Sequence, residues 1–151
     1  MKRAALSAVG FLLILYAAAI FVPFEPEERR PGTRVTGEVA EVQDTDWSFL
    51  HGRNLIVVET RTWYLVPHSV TTTSWVVDET LYVPCARCGS KRWPKNVQRD
   101  PRVRLKIGDQ LYERRAILIT DAAERRRILR TPDGESLPEG VAVYRMDPRS
   151  G

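Results

Sequence analysis

The sequence has 151 residues, of which 43% are hydrophobic, and a formal net charge of +4. This length suits one globular domain with its own hydrophobic core. The positive residues concentrate in two segments, Arg87–Lys106 and Arg125–Arg130. Because the N-terminus carries a long uncharged segment, we exclude a nucleic-acid partner and expect an anionic ligand or anionic lipid head groups instead.

The N-terminal segment is predicted to be a membrane anchor. No residue from Ala4 to Phe24 is charged, and Lys2 and Arg3 precede this stretch. At about 1.5 Å per helical residue it reaches roughly 30 Å, the thickness of a bilayer core. Residues 1–24 are therefore interpreted as an anchor, with the N-terminus in the cytoplasm and the domain on the extracytoplasmic side of the cell membrane. A cleaved signal sequence is the alternative, because Ala17–Ala19 has the small residues that signal peptidase requires.

The rest of the chain is predicted to be one domain of short strands. Residues 25–34 are rich in charge, proline and glycine, which indicates a linker before a domain at residues 35–146 and a tail at residues 147–151. Alternating or β-branched patterns predict strands near residues 35–39, 55–58, 63–66, 70–77, 80–83, 102–107, 110–119 and 141–145. Asp78-Glu79 and Gly108-Asp109 indicate hairpin turns. The capping spacing of Asp121 and Glu124 predicts a short helix, Asp121–Leu129.

Regular hairpins with turn signals predict a mainly β fold, either an antiparallel barrel or a sandwich. The order of four segments adds to this interpretation: Pro67–Trp75, Asp78–Val83, Lys95–Val103 and Tyr112–Arg125. In this order they resemble the flavin-binding split-barrel superfamily, which includes pyridoxamine-phosphate-oxidase-like and deazaflavin-dependent nitroreductase-like proteins. The resemblance implies a split β-barrel of about six or seven antiparallel strands with a short helix. It also implies a homodimer with the cofactor at the interface.

The resemblance further implies a binding site for an anionic, ring-containing ligand, FMN or a deazaflavin. A phosphate removed from water needs cations and hydrogen-bond donors. The basic loop would supply them through Lys95 most directly, then Arg92, with further contacts from Ser90, Lys91 and Asn96. Hydroxyl groups of the strand would bind the ring edge, with Trp75 beside the ring; these residues are Thr71, Thr72 and Thr73. No catalytic acid, base or nucleophile stands out, as is usual where the cofactor does the chemistry.

Two histidines and two cysteines are further candidates. His68 is a candidate general acid, ligand contact or haem ligand, and equally a structural histidine, while His51 lies in a polar turn. Cys85 and Cys88 are the only cysteines. They form a Cys-x-x-Cys motif that fits a redox dithiol, a disulfide or half of a zinc site, and outside the cytoplasm we expect a disulfide. The motif stands where deazaflavin-dependent relatives carry a glycine-rich or serine-rich run.

Three functions remain open at this point. The first is a membrane-anchored split-barrel oxidoreductase that uses flavin or deazaflavin. The second is an anchored split-barrel module without catalysis that binds a ligand, a lipid or a protein partner. The third is a thiol-redox or metal protein that uses Cys85 and Cys88. The ordered segments support the first two equally, because fold does not fix function.

Overall fold

The structure is a computed structural model that describes residues 2–28, 30–40, 46–50 and 53–149. Its first element, helix α1, spans Lys2–Phe21. Among the described residues, no helix is long and apolar enough to cross a membrane. This finding corrects the prediction of a transmembrane helix over residues 4–24. Helix α1 ends at Phe21, and residues 22–24 continue as a bend and extended chain.

The rest of the described chain contains seven strands and two further α-helices. The strands are β1 (Glu38–Val39), β2 (Arg53–Arg61), β3 (Pro67–Val77), β4 (Thr80–Ala86), β5 (Arg102–Ile107), β6 (Gln110–Leu118) and β7 (Val141–Pro148). The helices are α2 (Arg92–Arg99) and α3 (Ala122–Leu129). The prediction of a mainly β protein is therefore confirmed, and the structure has a second short helix, α2, beside the predicted α3.

Six of the strands form a closed antiparallel barrel in the order β6-β5-β2-β3-β4-β7, and β7 returns to pair with β6. Strand β1 adds to β6 as a short parallel partner. Closing the sheet removes the unpaired edges that an open sheet would leave. The antiparallel barrel, which the sequence left open against a sandwich, is thus the architecture found.

Both predicted hairpin turns are confirmed. Asp78 and Glu79 have φ angles of 47° and 60°, and this pair of left-handed residues is the two-residue turn that matches the twist of the strands. Gly108 has φ of 59° in the turn between β5 and β6. A glycine adopts this conformation without steric cost.

Three local predictions are corrected. Residues 63–66 do not form a strand, because the Thr62 N–H and hydroxyl both bond to the carbonyl of Val66 and close a tight turn. Of residues 35–39, only Glu38 and Val39 pair, since they meet only the start of β6. The basic segment after Cys88 is not simply a loop but contains α2.

The hydrophobic core fills the barrel. It is built from aliphatic residues of the strands and closed by Trp93 of α2, whose ring centroid lies 4.9 Å from that of Tyr144. A second, smaller cluster lies between α3 and the outer face of the barrel and includes Tyr82, Ile119, Ile128 and Val143. The side chain of Asp121 caps α3 by accepting a hydrogen bond from the Glu124 N–H at 2.7 Å, as its sequence spacing predicts.

Residues 22–28 and 30–36, which we call the clasp, lie against the outer face of β5, β2 and β3. Gly32 pairs with Ser69 through two backbone hydrogen bonds. The Val35 N–H donates to the Glu59 carboxylate at 2.7 Å, and Lys106 donates to Glu25. This contact with Lys106 is the largest influence on Glu25 and lowers the pKa of its carboxyl. The segment that the sequence indicates as a linker is therefore held to the barrel by specific contacts.

We predict that Gly32→Ala loosens the clasp. A Cβ at Gly32 would lie 2.3 Å from the backbone oxygen of Phe24, so the chain must shift to accommodate it. Overpacking of this kind costs about 1–3 kcal/mol. Limited trypsin digestion should cut faster after Arg34 in the variant. Gly89→Ala is the matched control, because no atom of the described residues lies within 4 Å of its Cβ position. Equal digestion of both variants would contradict the prediction.

Candidate functional site

An exposed shelf lies on the outer face of β2 and β3. Thr71 pairs opposite Val57, and Thr73 pairs opposite Leu55, so the four side chains share one face. Leu55 is 75% exposed and Thr71 is also exposed. Thr72 points to the opposite face, because successive strand residues alternate. The β2–β3 shelf, defined as Leu55, Val57, Thr71 and Thr73, therefore combines two hydroxyls with an apolar surface.

The predicted phosphate-binding cations lie at the beginning of α2. Lys91, Arg92 and Lys95 are all exposed there. Lys91 is the N-cap residue, and no side chain in the described part of the protein caps the helix N-terminus. The first N–H groups of a helix attract anions, so this end of α2 has the chemistry of a phosphate site. Ser90 precedes it in a short 3-10 turn, and its hydroxyl donates to the carbonyl of Arg87 at 2.8 Å.

Asn96, also predicted to bind the cofactor, is instead buried under α2. Its side-chain amide donates to the Thr60 hydroxyl at 3.0 Å, and that hydroxyl donates to the carbonyl of His68 at 3.1 Å. Arg99 donates to the side-chain oxygen of Asn96 at 3.3 Å. These bonds join α2 to β2 and β3. Asn96 therefore positions the helix that carries the cations.

His68 is buried where β3 begins. Burial lowers the pKa of its imidazole, and the positive charge of Arg92 lowers it further. Both effects favour the neutral ring. The surroundings thus agree with a structural histidine. His51 lies outside the described residues.

Trp75 lies at the border between the shelf and α3. It is partly buried, pairs opposite Tyr82, and packs against the cluster beneath α3. Ser74 is fully buried, and its hydroxyl donates to the carbonyl of Asn54 at 3.4 Å. Trp75 therefore has a packing role, and only part of its surface remains for a ligand.

The hydroxyls of the shelf and the cations of α2 lie on different faces of β3 within one chain. Helix α2 inserts Trp93 and Val97 into the barrel core, and its Asn96 bonds to Thr60 near the end of β2. Thr71 and Thr73 point to the outer face of β3. The cations and the shelf thus belong to different sides of the strand.

Cys85 and Cys88 are joined in a disulfide. Cys85 is buried in β4, and Cys88 lies in the following 3-10 turn, where its N–H donates to the carbonyl of Gly140 at 3.3 Å. The pair therefore fastens the end of β4 to the start of the basic segment. Among the described residues, no group of three or more histidine, cysteine or acidic side chains could hold a metal ion.

Sequence reasoning missed two clefts. One, of about 660 Å³, contains Tyr82, Glu124, Arg145 and Asp147. The Tyr82 hydroxyl donates to Glu124 at 3.3 Å, while burial first and then the Glu124 charge raise the pKa of this tyrosine. Arg145 forms ion pairs with both carboxylates, at 3.5 Å to Glu124 and 2.6 Å to Asp147. Arg145 therefore neutralises part of the negative charge of Glu124 and Asp147 within the cleft.

The second cleft, of about 580 Å³, lies between the end of α1 and the barrel. Five arginines line it, namely Arg34, Arg61, Arg102, Arg104 and Arg149. Arg102 and Arg104 lie in the predicted strand at residues 102–107, and a strand pattern alone does not indicate a cleft. The other three come from separate segments, so no sequence pattern could group them.

Solved structures of other proteins share this barrel architecture. No protein-family profile matches the sequence, and a comparison with curated proteins finds no match. Among solved structures, a Listeria innocua protein assigned as a pyridoxamine 5'-phosphate oxidase is 20% identical, with a TM-score of 0.51, covering 64% of this chain and 84% of its own. General Stress Protein 26 from Bacillus anthracis is 17% identical with a TM-score of 0.51, covering 72% of this chain and 90% of its own. The chain has the split-barrel fold. The resemblance that the sequence segments indicated is confirmed at the level of fold.

We predict that Asn96→Ala destabilises this split barrel. Removing the amide takes one hydrogen bond from the buried Thr60 hydroxyl and another from Arg99, at a cost of about 1–3 kcal/mol in free energy of unfolding. Gln98→Ala is the control, because Gln98 is exposed on the same helix. Urea unfolding of both variants gives the comparison. An unchanged stability of Asn96→Ala would leave Asn96 available for a ligand role.

Proposed function

We propose that this split barrel binds an anionic, ring-containing cofactor of the flavin or deazaflavin type and works as an oxidoreductase. The fold supports the proposal, because the superfamily that the sequence resembles binds flavins. The observation that carries it is the exposed β2–β3 shelf beside a fully packed barrel. Side chains fill the interior, so a ring-shaped ligand must lie against the outer face.

The shelf suits the ring of such a ligand. Leu55 and Val57 offer apolar contact, and the hydroxyls of Thr71 and Thr73 offer hydrogen bonds to polar ring edges. The exposed cations Lys91, Arg92 and Lys95, together with the uncapped start of α2, suit the phosphate.

A homodimer would reconcile these two surfaces. Within one chain the cations of α2 and the shelf lie on different sides of β3. In a pair of chains related by a two-fold axis, the shelf of one protomer can face the α2 cations of its partner. The exposed apolar side chain of Leu55 adds to this proposal, because a contact with a second chain or a ligand would remove it from water.

The chemistry would come from the cofactor, which supplies hydride or electron transfer once bound. The residues of this chain would bind and orient it. The described shelf carries no acid or base, so a module that binds the same ligand class without catalysis is the second candidate. A redox role for the cysteines has less support, because Cys85 is buried.

We predict that Lys95→Glu weakens FMN or deazaflavin binding by about 2 kcal/mol or more, since a charge-assisted contact becomes repulsive. Fluorescence titration of the full chain measures this loss. Arg115→Glu is the matched control, because Arg115 is exposed on β6 and makes the same charge change. If the wild-type chain binds neither cofactor below roughly millimolar concentration, about −4 kcal/mol, the cofactor proposal fails.

We also propose that α1 associates with the cell membrane and that the domain lies on the extracytoplasmic side. The exposed apolar side chains of α1 and the disulfide support this location. Rapid alkylation of thiols in intact cells, followed by denaturation and mass analysis, should find Cys85 and Cys88 unmodified and joined. Two alkylated thiols would contradict both the pairing and the oxidising location. A parallel sample reduced before alkylation provides the control.

A further inference from the structure

The turn between β2 and β3 presents three apolar side chains to solvent. Trp63 is 75% exposed, Leu65 is 57% exposed and Tyr64 is 36% exposed. The rings of Trp63 and Tyr64 contact each other edge to face, with centroids 5.2 Å apart. These residues add little to the core of the barrel. An exposed apolar group of this kind marks a surface for binding.

The same turn is held rigidly in shape. The Thr62 N–H donates to the carbonyl of Val66 at 3.1 Å, and the Leu65 N–H donates to the carbonyl of Thr62 at 3.0 Å. Leu65 adopts the left-handed conformation, with φ of 65°, which is uncommon for a residue with a branched side chain. The turn thus keeps its apolar side chains in place before any partner arrives, so little conformational entropy is lost on binding.

The turn also adjoins α1. The Tyr16 hydroxyl donates to the carbonyl of Tyr64 at 2.7 Å. Around this contact α1 carries a continuous exposed apolar surface, formed by Val9, Phe11, Leu12, Leu13, Ile14, Leu15 and Tyr16. The apolar turn therefore contacts the helix at Tyr16.

Positive charge flanks this apolar surface. Leu65 and the last residues of α1, Ile20 and Phe21, line the arginine cleft. Three of its arginines pair with carboxylates, at 2.7 Å between Arg102 and Asp100, 3.3 Å between Arg104 and Glu59, and 2.8 Å between Arg149 and Glu113. Arg34 and Arg61 have no carboxylate within 4 Å among the described residues. Arg102 has the strongest effect in lowering the pKa of the Asp100 carboxyl, and Arg61 helps to lower it further. The guanidinium groups of Arg34 and Arg61 nevertheless lie beside the apolar turn without a direct ion pair in the described residues.

We propose that the Trp63–Leu65 turn, with Arg34 and Arg61, docks the barrel onto a bilayer that contains anionic phospholipid. Tryptophan and tyrosine favour the boundary between head groups and acyl chains. Arginine binds phosphate oxygens through its planar fork of donors. Apolar residues beside these two arginines match a bilayer, whose interior is apolar and whose surface carries anionic head groups. This inference rests on the proposed membrane association of α1 and is independent of the flavin.

The depth of the turn can be measured in the full chain, reconstituted in vesicles of phosphatidylcholine and phosphatidylglycerol. An environment-sensitive fluorophore is attached to Trp63→Cys, to Leu13→Cys on α1 and to Leu118→Cys, an exposed apolar position on β6. Spin-labelled lipids should quench the first two labels and leave the third bright. The unsubstituted chain, with its cysteines paired, controls for labelling elsewhere.

The outcomes separate the two proposals. Quenching at position 13 but not at 63 would overturn the docking of the turn and leave the association of α1 intact. An absence of quenching at both positions would overturn the membrane association, and the docking with it. Equal quenching at 118 and 63 would show that the barrel has no preferred face and would also overturn the inference.

The arginines have their own test. A double variant with Arg34→Gln and Arg61→Gln should dock less well. The ratio of docked to undocked protein should fall roughly thirty-fold in vesicles that contain phosphatidylglycerol, and should change little in phosphatidylcholine alone. Arg115→Gln with Arg130→Gln removes the same charge from exposed positions elsewhere. An equal loss in both double variants would overturn the role of the cleft. Competition by inorganic phosphate at constant ionic strength would assign the arginines to a free phosphate instead of lipid.

Discussion

The closure of the barrel depends on β6, which pairs along both of its edges. Residues 110–115 of β6 pair with β5, and residues 114–118 pair with β7. Arg114 lies at the overlap and is buried with its guanidinium 5.1 Å from the ring centroid of Trp47 and 5.7 Å from that of Tyr112. It also donates to the carbonyl of Glu113 at 3.0 Å. Aromatic faces and a carbonyl thus compensate for a buried cation at the closing strand.

Closure determines where function can reside. A small closed barrel has an interior that its own side chains fill, and here Trp93 of α2 completes that filling. Helix α3 covers the outer face of β4 and β7, and the clasp covers part of β5, β2 and β3. The shelf and the arginine cleft are outer surfaces that remain beside these covers. Both proposals therefore concern the exterior of the barrel.

The sequence predicted the hairpins well because their signals are local. Asp78-Glu79 and Gly108-Asp109 are polar breaks in the strand pattern, and the β-branched residues Val77 and Ile107 that precede them pair across the turns. Helix α2 was missed because it has eight residues, with a proline in its first turn and no side-chain cap. Its position depends on buried contacts such as that of Trp93 with Tyr144, which are distant in sequence.

The candidate site was predicted only in part, for a similar reason. The exposed cations of α2 and the hydroxyls of β3 are where their residue types indicate, but a list of residues does not show which face each one occupies. Strand alternation separates Thr72 from Thr71 and Thr73, and the buried bond to Thr60 turns Asn96 inward. The Trp63–Leu65 segment has strong β-propensity, yet the bonds of Thr62 to Val66 close it into a turn.

The two proposed surfaces lie on the same pair of strands, with the turn at one end and the shelf near the middle. The Trp63–Leu65 turn joins β2 to β3, whereas Thr73 lies six residues into β3 beyond Pro67. At about 3.3 Å per strand residue, the shelf is roughly 20 Å from the turn. With the turn docked on a bilayer, the shelf would stand clear of the head groups. The two proposals are therefore compatible in one molecule, because a ligand on the shelf would stay accessible from water while the turn contacts the bilayer.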